Sequence, residues 1–184
     1  MMEGMESLRG QLLIAGAGLI DPNFRRTIVL IGEHNEEGAL GVALNRPSPL
    51  TVGDAIPSLG RLAPPDDPVF IGGPVQPESV VVLAEFGEPK DAGLLVLGSI
   101  GFLVGEVEAG AVDAVRRARI FAGHAGWGPG QLERELEEEA WIQEPALPED
   151  VFTDTPDELW TMVLRRKGRD FAILALMPLD PSMN

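Results

Sequence analysis

Apolar positions along the first hundred residues fall into short blocks separated by glycine, proline and acidic residues. Residues 12–15 (LLIA) read as a short buried strand, broken by Gly16-Ala-Gly18 and Asp21-Pro22. Residues 27–32 (TIVLIG) and 40–45 (LGVALN) read as two more strands, the first rich in β-branched side chains. The polar connection at 33–38 (EHNEEG) has hairpin length and ends on a glycine able to take positive φ, so an antiparallel hairpin is predicted. Pro47, Pro49, Pro57, Pro64, Pro65 and Pro68 then exclude continuous strand or helix, because each lacks a backbone donor and restricts its predecessor; a short helix fits at 52–59. Strands are expected again at 69–71, 80–86 and 94–97, the first stopped by Gly72-Gly73-Pro74.

The second half changes period. Val107, Ala111, Val115 and Ala118 recur three or four apart, which predicts one helix face against the core. A short strand is expected at 120–122, and Leu132, Leu136 and Ala140 mark a further helix. The segment 156–167 has Pro at its start, Asp157 and Glu158 in its first turn, and Arg165, Arg166 and Lys167 before Gly168, all matching a helix and its dipole. The apolar run 171–177 is assigned as strand. Strands first and helices later, without regular alternation, predict an α+β fold: one compact domain over residues 1–184, with a mixed or antiparallel sheet core and flanking helices.

Composition narrows the chemistry. A chain of 184 residues with 45% apolar content supports one domain with a sizeable core. Its net charge of -15 repels phosphate backbones and anionic lipid, which disfavours direct nucleic-acid binding. Without cysteine there is no disulfide, thiolate metal site, iron–sulfur cluster or thiol nucleophile. The acidic N-terminus has the wrong sign for a signal peptide, and the longest apolar runs, 12–20 and 171–179, are about half of the ~20 residues a membrane helix needs. A cytoplasmic protein without membrane contact is expected.

Each candidate motif has a competing structural explanation. Gly16-Ala-Gly18 follows a strand, but a dinucleotide fingerprint would need a third glycine where Asp21 stands, so a turn is the reading. The segment 123–130 (GHAGWGPG), expected as a loop before the next helix, holds four glycines yet continues Gln131-Leu132-Glu133 instead of Lys-Ser/Thr, and five glutamates follow, against a phosphate cradle. Gly128 and Pro129 suit the N-cap and first position of the helix beyond. His34 and His124 are the only histidines, too few for a His-rich metal site although each could join a carboxylate pair; no metal and no cofactor are expected. His124 lies where an imidazole can serve as base or donor, but no G-x-S-x-G elbow accompanies it. Asn45-Arg46-Pro47 closes a strand, Arg46 offering either a salt bridge or a bidentate anion clamp. The clusters Arg116-Arg117-x-Arg119 and Arg165-Arg166-Lys167-x-Arg169 sit late in predicted helices, where cations complement the dipole.

These residues, read in order, resemble the AlgH/YqgE family of bacterial proteins. The resemblance is carried by 10–15 (GQLLIA), 21–24 (DPNF), 33–35 (EHN), Gly38-Ala39, 44–47 (LNRP), 72–75 (GGPV), 126–133 (GWGPGQLE) and the tail 180–184 (DPSMN). It implies a single-domain α+β protein with a complex sheet and no established enzymatic activity, some members carrying the label of transcriptional regulator. It also implies two departures: many relatives have Cys where Gly32 stands and Tyr where His124 stands. The reading adopted is a cytoplasmic, non-enzymatic binding or regulatory protein that contacts a protein or small molecule. Its candidate surface comprises Glu33, His34 and Asn35, then Asn45 and Arg46, then Gly72, Gly73 and Pro74, and finally His124, Gly126 and Trp127. The alternatives are a hydrolase or transferase using His124 with a carboxylate such as Glu33 and with Arg46, and a transcriptional regulator reading nucleic acid through the two Arg clusters.

Overall fold

Ten strands organise the described part of the chain, and the long central one joins three others. The structure is a computed structural model that describes residues 6–16, 19, 21, 24–88, 92, 94–103 and 113–173. The strands are β1 (Gln11–Ala15), β2 (Ile28–Asn35), β3 (Gly38–Ala43), β4 (Pro47–Thr51), β5 (Pro68–Ile71), β6 (Val75–Phe86), β7 (Leu94–Leu97), β8 (Ile100–Phe102), β9 (Val115–Trp127) and β10 (Trp141–Pro145). They pair in the order β10-β1-β2-β3-β9-β6-β8-β7, with β4 and β5 attached to β9 through β5. Among the described strands only β5–β9 is a parallel pair; every other ladder is antiparallel. Helices among the described residues include α1 (Val52–Ala55), α2 (Gln131–Glu137), α3 (Pro148–Val151), α4 (Leu159–Lys167) and α5 (Arg169–Ala172). The α+β expectation holds.

The sheet is buried on both faces over much of its area, which is why β1 and β2 read as unbroken apolar runs instead of alternating ones. Leu12 and Ile14 of β1 join Ile28, Leu30, Val42 and the α4 side chains Leu159, Trp160 and Val163 on one face. Leu13 and Ala15 turn the other way, toward Val29, Ile31, Trp127, Trp141 and Leu132 of α2. The proline-rich segment supplies a third cover, laying Val52, Leu59 and Leu62 over Val82, Ala84, Ala118 and Ile120. Its strand β4 pairs with β5 only at Pro47–Phe70 and Thr51–Pro68, as the missing proline donors require, and Thr51 caps α1 by accepting from Asp54 N at 3.2 Å.

Several local expectations are corrected. Val115 and Ala118, assigned to a helix face, lie in β9; Val107 and Ala111 lie outside the described residues. The spacing of Ala118, Ile120 and Ala122 is equally compatible with period two, and β9's long pairing with β6 decides the matter. The strand expected at 120–122 is the middle of this thirteen-residue strand. The apolar run from Phe171 predicts strand, but Phe171 and Ala172 belong to α5, both donating to the Gly168 carbonyl while Phe171 packs on the core; the run beyond residue 173 lies outside the described residues. Glu33, His34 and Asn35 form the end of β2, so the hairpin connection shortens to Glu36 and Glu37.

Candidate functional site

The motif residues gather along the seam where β9 meets β3 and β5. Ala39, Leu40 and Gly41 of β3 oppose Trp127, Gly126 and Ala125, while Val75 of β6 opposes His124. The segment 123–127, expected as a loop, is therefore strand, and only 128–130 turns into α2. The helix N-cap is Gly130 at φ 73°, not Gly128, whose N–H donates to the Gln131 Oε1 at 3.0 Å. Gly72 bridges the seam, its N–H donating to the Ala122 carbonyl and its own carbonyl accepting from Ala43 N, both at 2.8 Å. A Cβ on Gly73 would fall on the backbone of His124 and Ala125, so the Gly-Gly-Pro motif lets one chain segment cross another. Gly123 at φ 73° supplies the matching kink in β9.

Strand pleat then sorts the candidates by face. Glu33 opposes Leu40, Leu40 opposes Gly126, and His124 stands two residues from Gly126 opposite Val75, so all five point to one side. Glu33, Gly126 and Val75 are exposed and Leu40 and His124 half-buried. A Cβ built on Gly126 would meet only Val75 Cγ2, at 3.6 Å, so this glycine leaves an unfilled space in the middle of the row. At the hairpin end lies an open groove of about 220 Å³, lined by Glu33, Asn35, Glu37, Gly38, Ala39, Leu40 and Trp127. Burial holds the His124 imidazole below its ordinary pKa, and it forms no hydrogen bond or ion pair with a described residue. Two strand spacings and two residues of rise separate Glu33 from His124, about 12 Å between Cα atoms, too far for a pair of parallel side chains to touch.

The remaining candidates face inward. His34 is buried, its Nδ1 accepting from Leu8 N at 3.1 Å while Nε2 lies 2.5 Å from Glu133 Oε1 of α2. The backbone donor at Nδ1 fixes the proton on Nε2, which donates to the carboxylate. Burial raises the Glu133 pKa, but hydrogen bonds from His34 and its own amide outweigh this and hold the carboxyl below the usual range. Trp127 is also largely buried: its Nε1 donates to Glu135 Oε1 at 3.2 Å, the same oxygen that accepts from Trp141 Nε1 at 2.9 Å. Asn45 ties a turn together, its Oδ1 accepting from Ile28 N and its Nδ2 donating to the Arg26 carbonyl, both at 2.9 Å; Arg26 itself sits at φ 51°. Arg46 donates to Thr27 Oγ1 at 3.1 Å.

The basic clusters are largely committed within the fold, and the first lies on β9, not on a helix. Arg117 pairs with Glu85 and stacks on Phe152; Arg119 donates to the Thr153 carbonyl and stacks on Phe70, and burial lowers its pKa. Arg166 forms a two-bond fork on Asp150, and Lys167 donates to the Gln143 carbonyl at 2.7 Å. Among the described residues no group of three or more His, Asp or Glu has metal-site geometry, and no helix is long and apolar enough to cross a membrane.

A family profile described as AlgH-like (DUF179) matches residues 12–172, nearly the whole chain. The chain belongs to the AlgH-like family. Its relatives include the UPF0301 protein SCO2948 of Streptomyces coelicolor, 46% identical over all of this chain and 98% of that one. Another is the UPF0301 protein CT0663 of Chlorobaculum tepidum, 40% identical over 95% of each. Among solved structures, protein DIP2367 of Corynebacterium diphtheriae superposes with a TM-score of 0.84 at 30% identity, covering 96% of this chain and 95% of that one. The AlgH protein of Pseudomonas aeruginosa gives 0.70 at 32%, covering 97% and 98%. Within this AlgH-like fold a Cβ at Gly32 would collide with the end of the Phe102 ring, so that aromatic side chain occupies the space a side chain at position 32 would need.

Sequence patterns missed Glu37, Leu40 and Val75 of the exposed face and Glu133 and Glu135 beneath it. Strand register was the signal for the first three. Nothing local marks the two glutamates among the five on and after α2.

Proposed function

We propose that this AlgH-like chain is a non-enzymatic binding and regulatory protein of the bacterial cytoplasm, taking its partner on the face that carries Glu33, Leu40, Gly126, His124 and Val75. The observation that carries this reading is the uncovered row of side chains flanking Gly126, set among motif residues otherwise engaged inside the fold. His34 is held by Leu8 and Glu133, Asn45 holds a turn, and Gly73 serves a chain crossing. Catalysis by His124 with a carboxylate and Arg46 has less support, because His124 contacts no described carboxylate and Arg46 donates to Thr27. Direct reading of nucleic acid has less support too, since Arg117, Arg119 and Arg166 are spent on internal partners and the net charge is -15. Regulation would then run through a bound protein or small molecule.

Gly126→Leu tests the face. The backbone accepts a side chain there, so the variant is expected to fold with an unchanged circular dichroism spectrum and to lose the partner that cross-linking and mass spectrometry identify with the unaltered chain. Undiminished cross-linking to the same partner would refute the assignment.

A further inference from the structure

The groove at the β2–β3 hairpin deepens this reading, and the inference below rests on it. We infer that the groove accepts an arginine or lysine side chain from an extended basic segment of another protein. Its rim carries the carboxylates of Glu33 and Glu37, and no basic residue lines it. Neither carboxylate has an ion-pair or hydrogen-bond partner among the described residues, whereas Glu85, Glu133, Glu144 and Asp150 all do. Asn35 Oδ1 accepts from Glu37 N at 2.8 Å, fixing the hairpin tip and with it the position of the second carboxylate. Leu40, half-buried on the same face as Glu33, gives the groove a small apolar patch beside its polar rim. A long cationic side chain matches that pattern, laying its methylene stem against Leu40 with its charged head at the carboxylates. The open shape leaves room for a neighbouring backbone to pass over Gly126, where no side chain stands in the way.

Charge selects the source of the guest. The chain carries 29 acidic against 14 basic residues, so a basic partner is drawn toward it over the Debye length while a second copy is repelled. Anionic ligands meet the same repulsion at close range. The guest is therefore a basic peptide segment, and a second copy of the chain is disfavoured.

The test titrates the full-length, isotope-labelled protein with the peptide acetyl-Gly-Arg-Gly-Lys-Gly-amide and with its glutamine analogue, following backbone amide shifts. The cationic peptide is expected to shift Glu33, Asn35, Leu40 and Gly126, the analogue to leave them in place, and added salt to weaken the effect. Glu33→Gln with Glu37→Gln is expected to raise the Kd about tenfold, the upper range for two exposed pairs. Asp66→Asn with Glu158→Gln removes two exposed carboxylates outside the groove and is expected to leave the Kd within about twofold. Equal losses in the two double variants, or shifts spread across the whole surface, would overturn the assignment in favour of diffuse attraction. Concentration-dependent shifts of the same residues without peptide would overturn it in favour of a second copy. A peptide that fails to bind while Gly126→Leu still abolishes partner capture defeats the cationic guest alone; peptide bound in the groove with capture insensitive to Gly126→Leu defeats the parent reading of the face alone.

Discussion

Replacing Glu135 with alanine takes one carboxylate from beneath two indoles. Oε1 accepts from Trp127 Nε1 at 3.2 Å and from Trp141 Nε1 at 2.9 Å, and Oε2 accepts from Gln131 Nε2 at 2.8 Å. Both indoles are largely buried, and their rings stand edge to face with centroids 5.9 Å apart. They carry the core cluster that joins β1, β2 and β9 to α2. A hydrogen bond to a charged acceptor contributes about 1.5–3 kcal/mol, and an orphaned buried donor costs a similar amount. Glu135 is only half-buried, so water reaches the vacated site and recovers part of that loss. The two indole bonds together then amount to about 2–4 kcal/mol, which for a chain of this size lowers Tm by roughly 4–16 °C. Urea unfolding followed by circular dichroism measures it, with the slope unchanged if the native fold persists. Glu135→Gln keeps an acceptor and is expected to lose less. The decisive comparison places Glu135→Ala in a Trp127→Phe, Trp141→Phe background, where the donors are gone and the cost falls to the minor Gln131 contact. An equal cost in both backgrounds, or a cost below about 0.5 kcal/mol in the native one, would refute the reasoning.

Two further outcomes follow from the same inward-facing residues. Asn45→Ala, at a position chosen from sequence as part of a surface, is expected to destabilise the fold by about 1–3 kcal/mol in urea unfolding, because it removes both bonds that hold Ile28 and the left-handed Arg26; an unaffected midpoint would speak against that role. Glu133 has a lowered pKa in the folded chain, so its stabilisation is present above the unfolded carboxyl value of about 4.3 and is lost as pH falls through the lower folded value. Its side chain is a third exposed, so solvent screening limits the effect to about 1 kcal/mol. The stability gap between the native chain and Glu133→Gln should therefore be constant near neutrality and shrink below about pH 4.5, and a gap independent of pH down to 3 would contradict the assignment.

The strands and the hairpin were readable because their signals are local. Thr27, Ile28, Val29 and Ile31 carry β-branched propensity, Gly38 marks the turn, and the charges of 156–167 announce a helix whose last nine residues are α4. The failures came where distant partners decide. Val115 and Ala118 satisfy a helical spacing, yet β6 holds them in β9 opposite Phe86 and Ala84, a pairing invisible in any window of that length. The place of His34 between Glu33 and Asn35 suggests a surface position; the pleat turns it inward, to a carboxylate 99 positions away. The same pleat leaves Glu33 and Asn35 outside, so a motif of three adjacent residues divides between the core and the groove.

Glycine at the seam means different things at neighbouring positions, and the difference bears on function. At Gly73 any side chain would strike the His124 backbone, and at Gly123 the positive φ excludes most residues, so both are explained by folding alone. Gly126 has neither constraint: its strand backbone accepts a Cβ with one ordinary contact, it is exposed, and it lies within a continuous ladder opposite Leu40. A glycine inside a strand sacrifices about 0.5–1 kcal/mol relative to alanine through its backbone entropy, and the fold returns nothing for it here. Strand glycines mark bulges, tight bends or places where a ligand or another backbone comes close, and the unbroken Leu40 pairing leaves the last of these as the reading proposed for Gly126. Gly126 is therefore a sharper test of the proposed face than His124, whose imidazole forms no hydrogen bond or ion pair with a described residue.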